Sequence, residues 1–513
     1  MPSPPRKLTL LGINVDVLAI IISYLSPADA IAFSHTCQAA RAIPLDPALH
    51  TVVLNRTTEQ IEKFRDHLHA VPSRQNMLKC LTLTKAVTWE IDIHASDPAN
   101  MITDIVEGAK NLQLFSCGAM EDMIRASDGR MASALTSRTN LRVLELRDGG
   151  AKVVEVLSEL QSPHLRELAL DVTFIHKLPW NELFEPLTRY HHLETLSISK
   201  GVGRILFPFT FLPPDFLAGL PPLPAGIAPD GVAPFSPQTA PVLPSVRTLS
   251  FHNTFIPMPF AATLFPAVTR LTFRTDRTLS FSVPAGGLQH EFGTPLPCWP
   301  HALAEAHLDV VDGALWPLTC RVRWLDFDFL PAGCAQEALD AVAQTAPEVL
   351  SVAYRIDADN VFWVRLPVIA GNLRFLDIRI LELSGKRRRY VLLHLSSFPA
   401  LKALFLCMRA FYQPDDHDAE VAAMALELAQ ANRTLRVVGI ALTDGRSMRD
   451  DEPVWREELL GSCWWKVERD EEWLHEVKSM EAIPTQAGLK VRDYMYAADF
   501  ESPDWEERME TLV

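Results

Sequence analysis

The sequence predicts a mixed α/β chain: a short N-terminal module of three helices, then an irregular solenoid with one strand and one helix per repeat. Three observations predict it. A six-residue apolar pattern recurs thirteen times between residues 49 and 440. Segments between the recurrences, such as Val153 to Leu160 and Val421 to Leu428, carry helical apolar spacing. One N-terminal helix is apolar on almost every side.

The helical module spans residues 8–49. Asn14 is an N-cap for a first helix from Val15 to Leu25. Ser26 caps a second helix, with Pro27 at its first position and Asp29 near its positive end. A third turn, Gln38 to Ala42, stops before Pro44. In the first helix Val17, Leu18, Ile21, Ile22 and Leu25 form one stripe, Ile20 and Tyr24 cover the flank, and only Asp16 and Ser23 are polar. A helix apolar all round must be buried all round. A module this small cannot do that alone, so a partner protein or the neighbouring solenoid must cover it.

The solenoid spans residues 50–445. Its pattern is apolar, two residues, apolar, one residue, apolar. It reads Leu49/Val52/Leu54, Leu78/Leu81/Leu83, Leu112/Phe115/Cys117, Leu141/Leu144/Leu146, Leu165/Leu168/Leu170 and Leu193/Leu196/Ile198. It continues as Val246/Leu249/Phe251, Val268/Leu271/Phe273, Val322/Leu325/Phe327, Val349/Val352/Tyr354, Leu373/Leu376/Ile378, Leu401/Leu404/Leu406 and Leu435/Val438/Ile440. The last two apolar positions alternate with polar ones, as in a short strand with one buried face. Most spacings are 22–34 residues, near the period of leucine-rich repeats. One strand and one helix cannot close a core alone; stacking buries it. Prolines such as Pro163, Pro244 and Pro399 stop the preceding helix. The asparagine expected two residues after the last leucine is supplied clearly only by Asn253, which makes the repeats irregular. Two gaps, after Leu193 and after Val268, are about twice a repeat, so each hides a degenerate repeat or an insertion. Residues 208–244 hold eleven prolines and read as an insertion projecting from the solenoid.

Residues 446–513 form an acidic, tryptophan-rich tail or C-terminal cap. From Asp450 to Val513 eighteen acidic side chains face seven basic ones, which is eleven of the chain's fifteen excess negative charges. Five of eleven tryptophans lie there: Trp455, Trp464, Trp465, Trp473 and Trp505. The plain reading is a cover for the last repeat; the sharper one is a clamp for a basic partner segment.

Charge and motifs exclude several functions. A net charge of −15 argues against nucleic acid or anionic membrane as partner. The four-residue basic run Lys386 to Arg389 reads as a solvated loop. No apolar run approaches a membrane span. Asn14 and Asp16 interrupt the apolar stretch after Arg6 and Lys7, so no cleaved leader is expected. Eight scattered cysteines, none at C-x-x-C spacing, suit a reducing compartment, cytoplasmic or nuclear. There is no G-x-G-x-x-G, P-loop, G-x-S-x-G or H-E-x-x-H. Adjacent His191 and His192 cannot converge on one metal, and Asp357-Ala358-Asp359 lacks the glycine of a calcium loop. The expectation is a non-catalytic binding protein with no cofactor, metal or catalytic residue.

The N-terminal residues carry a resemblance. Ile13-Asn14-Val15-Asp16-Val17-Leu18, then Ile21 through Asp29, then Thr36-Cys37 and Arg41, resemble an F-box. Ile13-Asn14 stand where that family usually has Leu-Pro, and Ala40 where an aromatic residue is common. An F-box followed by leucine-rich repeats is a frequent pairing in the family. The resemblance implies a substrate receptor of a cullin-based (SCF-type) ubiquitin ligase. Its adaptor-facing residues would be Leu11, Ile13, Asn14, Val17, Leu18, Ile21, Leu25 and Pro27, docked on a Skp-family adaptor and through it on cullin. The rival readings are a repeat scaffold with no ubiquitin ligase role and an F-box protein working with the adaptor alone.

The protein substrate is expected on the strand residues that alternate with the buried ones. These include Glu145, Arg147, Asp171, Ser197, Ser250 and Thr272, then Trp324, Asp326, Asp328, Arg355, Phe375, Asp377 and Arg379. Charge reversal at Asp326, Asp377 and Arg379 together is expected to abolish capture and leave folding intact.

Overall fold

The computed structural model describes residues 29, 33, 36, 49–55, 57–84, 96–172, 180–199, 205–206, 241–252, 254–255, 258–274, 299–308, 318–330, 333–354, 361–380, 394–409, 417–443, 462–470 and 476–513. All but Asp29 and Thr36 of the residues that carry the N-terminal module's resemblance, most of the proline-rich insertion and the Lys386–Arg389 run lie outside the described residues. The chain divides into two compact units. One comprises residues 1–205 and 238–253, the other 206–237 and 254–513.

In the N-terminal unit, β1 (Thr51–Leu54), β2 (Cys80–Leu83), β3 (Leu114–Cys117), β4 (Val143–Gly149), β5 (Glu167–Val172), β6 (Thr195–Ser199) and β7 (Thr248–His252) lie side by side in sequence order, every neighbouring pair parallel. The apolar pattern sets their register. Leu81, Phe115, Leu144, Leu168, Leu196 and Leu249 pair in one row across the strands. All are essentially buried. Helices cover that face: α1 (Thr58–His69), the one-turn α2 (Pro72–Gln75), α3 (Ser96–Gly108), α4 (Met120–Ala126), α5 (Arg130–Thr136), α6 (Ala151–Glu159) and α7 (Trp180–Leu187). Each buried leucine contributes roughly 1.5–3 kcal/mol gross, and none can be collected by a repeat standing alone.

The scarcity of asparagine is made good by other side chains that reach backward one repeat. Ser162 Oγ donates to Leu141 O at 2.6 Å, and Tyr190 OH to Leu157 O at 2.5 Å. In the other unit Asn432 Nδ2 donates to Leu395 O at 2.8 Å. Buried loop carbonyls therefore find donors without a regular ladder.

In the C-terminal unit, α8 (Met258–Leu264) precedes β8 (Arg270–Arg274). There follow β9 (Leu303–Leu308), β10 (Val322–Leu330), α9 (Ala335–Thr345), β11 (Val349–Tyr354), α10 (Val361–Ile369), β12 (Phe375–Ile380), β13 (Ala403–Arg409), α11 (His417–Ala431) and β14 (Val437–Thr443). Strands β8 to β14 pair in parallel. Two antiparallel strands, β15 (Cys463–Arg469) and β16 (Val477–Ile483), then end the run. Lys478 and Glu481 on the outer strand discourage further pairing at that edge.

The two long gaps prove different. After Leu193, β6 pairs directly with β7, so the insertion adds no strand between them. After Val268, the gap contains a further repeat, Leu303/Ala306/Leu308, in which alanine replaces the central leucine. The register also corrects the pattern read as Val349/Val352/Tyr354. Leu350 and Val352 pair with Leu325 and Phe327 on one side and with Leu376 and Ile378 on the other. Val349 pairs with Phe375 on the opposite face.

Candidate functional site

The face of each sheet away from the helices differs between the units. In the N-terminal unit it carries Thr82, Ser116, Glu145, Ala169, Ser197 and Ser250, most of them half-buried. Ser116 Oγ donates to Glu145 Oε2 at 2.8 Å, and Arg147 is exposed. In the C-terminal unit the same face is covered by the end of the chain. There α12 (Thr485–Ala497) and α13 (Trp505–Glu510) pack Val491, Met495, Trp505 and Met509 against Val349, Phe375, Ala403, Phe405 and Val437.

The sequence of α12 suits that position. Val491 and Met495, four residues apart, share one helical face and are fully buried. Gly488 precedes them on the same side, and a Cβ there would lie 2.1 Å from Cγ of Trp464. The Trp464 indole stacks on Phe405 with centroids 5.2 Å apart, and it also fills the space above Gly439. The tail thus completes the sheet with two strands and closes its second face with two helices.

Next to this apolar contact lies a desolvated charge network. Arg492 and Tyr496 of α12 both reach Asp377 of β12, which is fully buried. Arg492 Nη2 donates to Asp377 Oδ2 at 2.8 Å, and the Tyr496 hydroxyl donates to the same oxygen. Arg379 lies between Asp377 Oδ1, at 3.8 Å, and Asp326 Oδ2, at 3.7 Å. Asp326 Oδ2 also accepts from His307 Nδ1 at 2.8 Å, and His307 Nε2 is bound by Glu305. The rings follow the charges. His307 meets Trp324 edge-on at 5.0 Å, and Trp324 lies against Tyr496 at 4.1 Å. Trp324 Nε1 donates to Ser351 Oγ at 3.0 Å.

The electrostatics are consistent with fixed charges. Burial disfavours the His307 imidazolium, but Asp326 and Glu305 outweigh it and raise its pKa to about 9. Burial also works against the Asp326 carboxylate, yet Arg379, His307 and Arg274 hold its pKa below the usual range. Burial and Asp377 push the Tyr496 phenol well above its usual value, so it remains a donor. With both ring nitrogens of His307 held by carboxylates, no lone pair faces a substrate or a metal. The network clamps one element onto another. Among the described residues no group of His, Cys, Asp and Glu side chains is placed to hold a metal ion. Cys117 is buried, which raises its thiol pKa to about 12 and removes it as a nucleophile.

The residues singled out in the sequence fall into three groups. Glu145 and Arg147 lie on the open face of the N-terminal unit. Trp324, Asp326, Phe375, Asp377 and Arg379 do come together, but beneath or beside α12, with Asp326, Phe375 and Asp377 buried and Trp324 and Arg379 partly buried. Their exposure is corrected, and so is the expectation that reversing three of these charges leaves folding intact. The adaptor-facing residues Leu11 to Pro27, Arg355 and the side chain of Asp328 lie outside the described residues.

The sequence does not single out Glu305, His307, Arg492 or Tyr496. Alternation in Leu303–Leu308 places Glu305 and His307 on one face, but Ala306 conceals the repeat. Arg492 and Tyr496 are four residues apart on a helix, a signal that reads equally as a solvated stripe.

No family model and no curated protein sequence matches this chain.

Proposed function

We propose that the chain is a non-catalytic receptor of F-box type. Its N-terminal module docks on a Skp-family adaptor and, through it, on cullin, and its repeats hold a protein substrate. The observation that carries the substrate half of this reading is the N-terminal unit's sheet face: polar, half-exposed and bearing Glu145 and Arg147. A repeat array presents such a face as an extended surface for another protein. The adaptor half rests on residues 13–41 of the sequence and on the apolar first helix that its own module is too small to cover. Five or six large apolar side chains buried on an adaptor would gain roughly 1.5–3 kcal/mol each before association costs.

The test is co-purification of the full chain with a purified Skp-family adaptor, then with cullin. Stoichiometric capture that Leu18→Asp abolishes supports the reading. No capture, or capture indifferent to Leu18→Asp, leaves a repeat scaffold outside any ubiquitin ligase. Capture of adaptor but never of cullin favours a receptor working with the adaptor alone.

A further inference from the structure

We propose that the protonated His307 imidazolium pins a latch that holds α12 on the second face of the C-terminal unit's sheet. The connection runs by two routes. Through charges it passes from Glu305 and His307 on β9 to Asp326 on β10, Arg379 and Asp377 on β12, then Arg492 and Tyr496 on α12. Through rings it passes from His307 to Trp324 to Tyr496, with centroid separations of 5.0 and 4.1 Å. Both routes end on α12, one turn of which carries both contacts to Asp377.

His307 is the one member of the network whose charge mild alkali withdraws. The groups facing it come from every strand around it. Glu305 shares its strand, and Arg270 of β8 stands 3.6 Å from Glu305. Arg274 of β8 acts on Asp326. Asp326 and Arg379 complete the surroundings from β10 and β12. With the proton in place, both imidazole nitrogens donate to carboxylates. Without it, one nitrogen presents a lone pair to a carboxylate oxygen, and Asp326 loses its nearest cation. Arg379 then answers Asp326 more fully, and Asp377 keeps only Arg492 and Tyr496. Because the imidazolium persists to about pH 9, the latch is closed at neutral pH and loosens on the alkaline side.

Hydrogen–deuterium exchange of the full chain, with rates divided by the intrinsic rate at each pH, tests this. The readout is protection of α12 relative to α11, an internal reference in the same unit. In the wild type the ratio is steady from pH 6 to 8 and falls about tenfold by pH 10. His307→Gln has the low ratio at every pH. His307→Lys, which keeps a cation between the carboxylates, holds the ratio through pH 10. A wild-type ratio unchanged to pH 10 overturns the proposal. So does a His307→Lys variant that loses protection at all pH values, because that marks a packing role and not a charge role. If His307→Gln fails to fold, the wild-type profile and His307→Lys decide the matter between them.

Discussion

The two units use the same strand row of buried leucines, yet their second faces have opposite fates. In the N-terminal unit the alternate strand positions are mostly Ser, Thr, Ala and a few charges, and they stay half-exposed. In the C-terminal unit they are Trp324, Val349, Phe375, Ala403, Phe405 and Val437 among charges, and the chain's own end covers them. The lesson is that the helix-side row specifies a repeat, while the opposite row specifies whether the repeat face is a surface or a second core. An apolar residue at that position demands cover, and here α12 and α13 supply it.

Breaking the covered face has the largest consequences. Asp377→Ala leaves Arg492 and Arg379 without their shared carboxylate in a desolvated site, and such a loss costs about 3–5 kcal/mol. The N-terminal counterpart, Glu145→Ala, removes a half-exposed bond to Ser116 and costs about 0.5–1 kcal/mol. Urea titration followed by tryptophan emission compares them, because nine of the eleven tryptophans belong to the C-terminal unit; circular dichroism follows the other unit. Equal costs at the two positions would erase the distinction between the faces.

Gly488→Ala comes next. The added methyl meets Trp464 at 2.1 Å, closer than the indole can permit, so α12 must lift. Overpacking of this kind costs about 1–3 kcal/mol. The expected signature is a lower urea midpoint with a changed Trp464 environment. An unchanged near-ultraviolet circular dichroism spectrum would show that α12 is not seated as described.

The pH response sharpens the same contrast. His307 has a raised folded pKa, so its stabilisation is complete below the unfolded value of 6.5 and fades as pH rises through about 9. The difference corresponds to about 3 kcal/mol at most. Asp326 has a lowered pKa, so its contribution is present above the unfolded value of 3.8 and fades as pH falls through the folded one. Denaturation of the C-terminal unit should therefore ease at both extremes, and His307→Gln should flatten the alkaline limb. A wild-type alkaline limb that survives His307→Gln would point to other groups.

The smallest stability effect is expected at Arg147, exposed on the open face. Arg147→Ala should change stability by no more than about 0.5 kcal/mol. Together with Glu145→Ala it should weaken capture of a protein partner, read by pull-down against wild type. Capture unaltered by the pair would move the recognition surface away from this face.

The row Leu81, Phe115, Leu144, Leu168, Leu196 and Leu249 was legible because a residue buried in every repeat must be apolar in every repeat. The strand at Leu303–Leu308 was not, because Ala306 is small enough to leave no leucine signature. The register at Val349 was misread for a related reason: Val349, Leu350 and Val352 are all apolar, and a strand buried on both faces offers no alternation to count. Asp377 and Arg379 alternate with Leu376 and Ile378 as solvent-facing residues would. Their burial depends on Arg492 and Tyr496, more than a hundred positions later.

By itself the sequence determined the strand-and-helix repeat, its period, the apolar side of most strands and the acidic, tryptophan-rich end. These follow from short-range periodicity, because burial on one face imposes a local pattern. Only the tertiary structure decided which second face is open, where the tail docks, and that Trp324, Asp326, Phe375, Asp377 and Arg379 belong to an interior. Those outcomes arise from contacts between distant segments, and a charge reads the same in a sequence whether water or a buried partner satisfies it.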